Sequence, residues 1–254
     1  MLSVANLSFA YGNGPPLFSE LSFTVEAGEA LAVVGRNGAG KSTLLRLLNG
    51  LLTPQAGDVQ VGGRTILDRK VDAIASQVGT LFQTPEQQLF AATVHEEVAF
   101  GPRQLGLVPQ VVEERVSAAL AHCALAGEES RHPLDLDHAA RRFVALASVL
   151  ALQPALLLLD EPQRGLDRRW TERLEAIIAT ERARGTAVVL ICHDMDFVLR
   201  NAQTVIALGV EQPRRMAVTK LFRSKPLIAA ASLAVPARIA VAERHAALQA
   251  EAAR

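Results

Sequence analysis

The stretch Gly35-Arg-Asn-Gly-Ala-Gly-Lys-Ser42 places a lysine and a hydroxyl directly behind three glycines. Its spacing fits G-x-x-x-x-G-K-[ST], in which glycines let successive backbone amides curl round phosphate oxygens at the positive end of a helix. In this arrangement Asn37, Gly38, Ala39, Gly40 and Thr43 surround the phosphates and Lys41 reaches the terminal ones. The Ser42 hydroxyl then ligates Mg²⁺. A second set follows the apolar run Leu156 to Leu159: Asp160 is placed for the Mg²⁺ shell and Glu161 to orient an attacking water. His193 ends the apolar run VVLIC, a place suited to sensing or stabilising a γ-phosphate, whereas a lone histidine is more often structural.

These groups need elements to hold them. Residues 2 to 34 read as short strands, LSVANLSFAY, LSFTVE and ALAVV, separated by YGNGPP and EAGE turns. ALAVV leads into the glycine loop, and LLRLLNGLL continues as a helix stopped by TPQAG. DVQVGG and VGTLF read as further strands. From about residue 86 to 152 the pattern is helical, clearest in VVEERVSAALAHCAL. ALLLLDEP, TAVVLICHD and TVIALG then read as buried strands, the last closing the sheet, with the helix WTERLEAIIATERARG among them. Strands alternating with helices imply a parallel sheet. From about residue 212 an alanine-rich tail, interrupted by Pro236, reads as a short helical appendage.

The totals exclude some classes. Twenty-six basic residues balance 26 acidic ones, so no net field draws this chain to nucleic acid or an acidic surface. Cys123 and Cys192 stand far apart without a zinc or disulfide pattern and are expected reduced in packed positions. MLSVANLSFAY lacks the basic start and long apolar run of a signal peptide, which suits a cytosolic chain. The uncharged run at residues 143 to 159 contains Gln153 and Pro154 and falls short of a membrane span.

Taken in order, GRNGAGKST, LFQ, LLLLDEP, GLD and the histidine after VVLIC make the chain resemble the ATP-binding subunit of an ABC transporter over nearly its whole length. The resemblance implies an α/β P-loop NTPase fold. It comprises a RecA-like parallel sheet core with an N-terminal antiparallel β subdomain, an inserted α-helical subdomain and a short helical C-terminal tail. The ATPase domain would span residues 1–211, with the helical insertion at about 86–152 and the appendage at 212–254. The resemblance also implies that Tyr11 stacks on adenine, that Gln83 touches both Mg²⁺ and the attacking water, and that ATP and Mg²⁺ are the cofactors. Asp167, in GLD, belongs to the same set. LFQTPEQQLFAATVHEEVAFGP is similar to the ATPases of energy-coupling-factor importers, which take up vitamins and transition-metal ions, and in them this loop faces an integral membrane transport subunit. The expected location is the cytoplasmic face of the cell membrane.

The chain departs from that family at one place above all. Where the resemblance calls for Leu-Ser-Gly-Gly-Gln, which meets the γ-phosphate held by the opposite subunit, the chain has Leu136-Asp137-His138-Ala139-Ala140. Asp137 has nothing to donate when ionised and is a good N-cap, so a carboxylate is expected where phosphate should come. Arg141 and Arg142 read as a solvated face of the helix. Gln163 and Arg164 stand where the family has a threonine or serine after the proline. The expectation is an asymmetric heterodimer, with a second ABC ATPase subunit supplying an intact signature. Two alternatives stay open: a nucleotide-binding regulatory subunit with little turnover, and a non-transport ABC ATPase, against which the balanced charge and single ATPase domain argue.

Overall fold

The computed structural model describes residues 1–67, 69–237 and 239–241. The strands are β1 (Leu2–Phe9), β2 (Phe18–Val25), β3 (Ala30–Val34), β4 (Ala56–Val61), β5 (Arg64–Thr65), β6 (Val78–Leu81), β7 (Leu156–Asp160), β8 (Ala187–Ile191), β9 (Thr204–Ala207) and β10 (Arg215–Ala217). The α-helices are α1 (Lys41–Leu48), α2 (Val71–Ala75), α3 (Val94–Gln104), α4 (Pro109–His122), α5 (His138–Leu150), α6 (Arg168–Ala183), α7 (Met195–Asn201), α8 (Val218–Arg223) and α9 (Lys225–Ala230).

Two sheets organise them. The first, ordered β2-β1-β4-β5, is antiparallel. The second, ordered β10-β9-β3-β8-β7-β6, is parallel from β9 to β6. Its central strands are buried along their whole length, as continuous apolar runs such as ALAVV, LLLLD and AVVLI require.

Because side chains alternate across a strand, these runs feed two separate cores. Ala32, Leu157, Leu159, Val188 and Leu190 pack on one face with α3 to α8. Leu31, Val33, Leu156, Leu158 and Val189 pack on the other with α1 and the antiparallel sheet. The parallel sheet is therefore sandwiched, and the loops after β3, β7 and β8 emerge at one edge, where the sequence places the phosphate chemistry.

The structure corrects the strand count. TVIALG reads as the last strand, yet Arg215–Ala217 adds β10, antiparallel to β9 through Arg215↔Ile206 and Ala217↔Thr204. Three residues carry too little alternation to announce a strand; the free edge of β9 supplies the pairing. Val218, Leu221 and Phe222 of α8 then pack into the core. The end of the expected helical tail, residues 242–254, lies outside the described residues.

Candidate active site

The glycine loop bridges β3 and α1. Gly35 has φ +145°, and a Cβ there would meet the Leu208 carbonyl oxygen at 2.6 Å, so glycine is required for both conformation and space. Gly40 is the N-cap of α1 with φ 94°, and its Cβ position is blocked by Leu17 and Phe18 at 2.9 Å. No side chain caps α1, which leaves its first amides free to face an anion.

A cleft of about 380 Å³ lies over this loop. Tyr11, Asn37, Gly38, Gly40, Lys41, Ser42, Thr43, Gln83, Asp160, Glu161 and His193 all line it, so nearly every residue singled out in the sequence converges there. Leu17 and Ile191 also line it, two apolar positions that carried no motif signal. Ala39 and Asp167 are the exceptions: Ala39 is buried with its methyl facing Gly35 and Gly209 beneath the loop, and Asp167 caps α6, its Oδ1 accepting from the Trp170 amide at 2.8 Å.

Lys41 Nζ donates to the carbonyls of Gly35 (2.8 Å) and Arg36 (3.1 Å). Burial lowers the pKa of its ammonium, opposed by the charges of Glu161 and Asp160. Ser42 Oγ donates to Asp160 Oδ2 at 3.3 Å. Burial raises the Asp160 pKa, against the opposing effect of the Ser42 hydrogen bond. The Ser42 hydroxyl and the Asp160 carboxylate thus meet in a cleft that Gln83 also lines, oxygen-bearing side chains suited to a hard cation such as Mg²⁺.

Glu161 follows directly at the end of β7 with φ +50°, a left-handed conformation rare for a residue with a side chain. Its amide donates to Ile191 O at 2.9 Å, tying the ends of β7 and β8 together. Its Oε1 lies 3.3 Å from His193 Nε2, and its Oε2 accepts from Gln163 Nε2 at 3.1 Å. Tyr11 stands exposed at the mouth, its hydroxyl 3.0 Å from Thr43 Oγ1 and its ring edge-on to Phe9.

The LDHAA stretch lies at the start of α5. Asp137 is its N-cap, and its Oδ1 accepts from the Ala140 amide at 2.8 Å, as the sequence implied. His138 Nε2 lies 3.4 Å from Glu86 Oε1.

The expectation of a solvated arginine face is overturned at Arg142, which is 4 % exposed. Its guanidinium donates to the carbonyls of Gln83, Glu161 and Arg164. The available signal was α5 itself: Ala140 and Phe143 to Ala147 are all buried, and a helix apolar on every side buries whatever polar residue it carries.

A second surface is apolar. Asn49, Leu51, Ile74, Phe82, Val149 and Leu152 line a groove of about 250 Å³. Nearby, Phe90 and Phe100 are exposed, their rings edge-to-face at 4.9 Å. The loop under Phe90 is held by the buried carboxylate of Glu97, which accepts from the Phe90 and Ala91 amides at 2.9 and 2.8 Å. Among the described residues no helix is long and apolar enough to cross a membrane.

Comparison with known proteins gives the family. Residues 18–164 match the model of the ABC transporter family. The chain is 38% identical over 239 residues to the energy-coupling factor transporter ATP-binding protein EcfA of Methanothermobacter thermautotrophicus, covering 93% of this chain and 77% of that one. It is 37% identical to EcfA2 of Symbiobacterium thermophilum, covering 94% and 85%. Among solved structures, cbiO1 from Clostridium perfringens, part of the ABC transporter complex cbiONQ, superposes with a TM-score of 0.80 at 27% identity, covering 90% and 92%. The chain accordingly belongs to the ABC transporter family, as one of its ATP-binding ATPase subunits.

Proposed function

We propose that the chain hydrolyses ATP to energise an energy-coupling-factor importer for a vitamin or transition-metal ion. It would work in an asymmetric heterodimer at the cytoplasmic face of the membrane. The observation that carries the asymmetry is the pairing of a complete set of phosphate and acid groups around one cleft with a carboxylate capping α5. The relatives named for energy-coupling factor transporters, and the place of cbiO1 in a transporter complex, support the importer class.

In this reading the α1 amides and the Lys41 ammonium bind the phosphates, and Tyr11 takes the adenine at the mouth. Ser42, Asp160 and Gln83 would hold Mg²⁺, which would supply charge neutralisation to the phosphates. Glu161 orients the attacking water and accepts its proton, while His193, beside Glu161, steadies the γ-phosphate. At the opposite site, the Asp137 carboxylate would face a phosphate with no donor to offer and with the Ala140 amide already engaged. The competent site would then combine this chain's loop with a partner's signature. The groove and the exposed Phe90–Phe100 pair suit a membrane transport subunit.

A second reading, a regulatory subunit with little turnover, is favoured by the same Asp137 cap. Magnesium-dependent ATP hydrolysis by the purified chain tests both, beside E161Q and a variant carrying Ser-Gly-Gly-Gln at 137–140. Strong turnover by the rewritten chain alone supports the heterodimer. Equal turnover by the native chain refutes it, and silence in both favours the regulatory reading.

A further inference from the structure

Arg142 lies outside the phosphate cleft but touches the backbone of three segments that surround it. Its Nη2 donates to Gln83 O at 3.1 Å and to Glu161 O at 3.3 Å, and its Nη1 donates to Arg164 O at 2.5 Å. Every acceptor is a main-chain carbonyl. Burying a guanidinium is costly unless its donors are satisfied, and this one is buried without a carboxylate among its hydrogen-bond partners. Those bonds therefore determine where the side chain sits.

The acceptors come from the loop carrying Gln83, from the residue whose side chain is the Glu161 carboxylate, and from the turn after Pro162. The donor comes from α5, less than two helical turns beyond its N-cap Asp137. A guanidinium presents its donors in a fixed planar fork, so this one side chain ties the three segments to α5.

We propose that Arg142 is a positioning residue for hydrolysis. It holds Gln83 and Glu161 in register with the start of α5, so that events at the signature end of this helix reach the hydrolytic groups of the chain's own nucleotide. The inference rests on the reading of Gln83 and Glu161 given above.

R142K keeps the charge but cannot fork to three carbonyls, and R142M keeps the stem without donors. Two measurements on the full chain decide the matter. In both variants, amide hydrogen exchange should quicken in parallel at residues 82–90 and 161–166, by about tenfold or more, while the 35–45 loop is spared. The gain in ATP affinity on adding Mg²⁺ should shrink while affinity measured in EDTA is retained. In the rewritten-signature chain, R142K should lower kcat about tenfold with KM for ATP held within about twofold.

Unchanged exchange at both loops overturns the proposal. So does an unchanged Mg²⁺ gain, or a loss in R142K that only follows a lowered Tm. If Q83A and E161Q leave both the Mg²⁺ gain and turnover intact, the reading of those two residues fails instead, while exchange still tests the tie itself.

Discussion

Asp137 Oδ1 and the Ala140 amide are joined at 2.8 Å, so the carboxylate is held over the first turn of α5 by the very kind of amide a phosphate would use. Rewriting Asp137-His138-Ala139-Ala140 as Ser-Gly-Gly-Gln should raise magnesium-dependent turnover of the isolated chain by at least about tenfold, given the strength of charge-assisted hydrogen bonds. Adding E161Q should abolish the gain. Steady-state phosphate release is the measurement.

Lys41 satisfies its ammonium with two loop carbonyls, so the loop itself does not depend on a distant partner for its shape. K41A should leave the circular dichroism spectrum unchanged and weaken ATP binding about tenfold or more, the expected loss of a charge-assisted contact to phosphate. S42A should remove chiefly the part of the affinity that depends on Mg²⁺. Fluorescent-nucleotide titration with and without EDTA separates the two.

Phe143 is 2 % exposed, and its ring centroid lies 4.5 Å from that of Trp170. Truncation to alanine leaves a cavity between α5 and α6 and should cost about 3–5 kcal/mol. The urea midpoint should fall at constant slope.

His122 gives a pH dependence. Its pKa is held below the ordinary 6.5 by burial, against the opposing charge of Glu181. The unfolded chain then takes up a proton at a higher pH than the folded chain. The stability this histidine contributes is present above pH 6.5 and is lost as pH falls through that value towards the lower folded one. H122Q should therefore flatten the fall in urea midpoint between about pH 7.5 and pH 5.5.

Glu97 holds the chain beneath Phe90 through two amide hydrogen bonds. E97A should speed exchange at the Phe90 and Ala91 amides and, if the proposed importer reading holds, weaken co-purification with its membrane subunit. ATP affinity should be untouched, because residue 97 does not line the nucleotide cleft.

Local chemistry was the most legible part of this protein. A glycine loop is written in eight consecutive residues, and both its conformation and the helix that follows depend on neighbours along the chain. Central strands were equally plain, since continuous apolar runs require cover on both faces. Three-residue β10 was not, because its pairing depends on the edge of β9 rather than on its own pattern. Gln163 was visible as a departure, but its bond to Glu161 was not, since it depends on a turn that begins with Glu161 in a left-handed conformation.

By itself, then, the sequence determined which groups could grip phosphate and that Asp137 would cap α5, because N-capping is settled within a single turn. Tertiary structure decided how two of them meet, with Ser42 donating directly to Asp160 across 118 positions. It also decided that Arg142 is a buried tie and not a surface charge. Whether a polar side chain on a helix is solvated depends on what packs against that face, and here the partners are the turn after β7 and the Gln83 loop, 19 and 59 positions away in the chain.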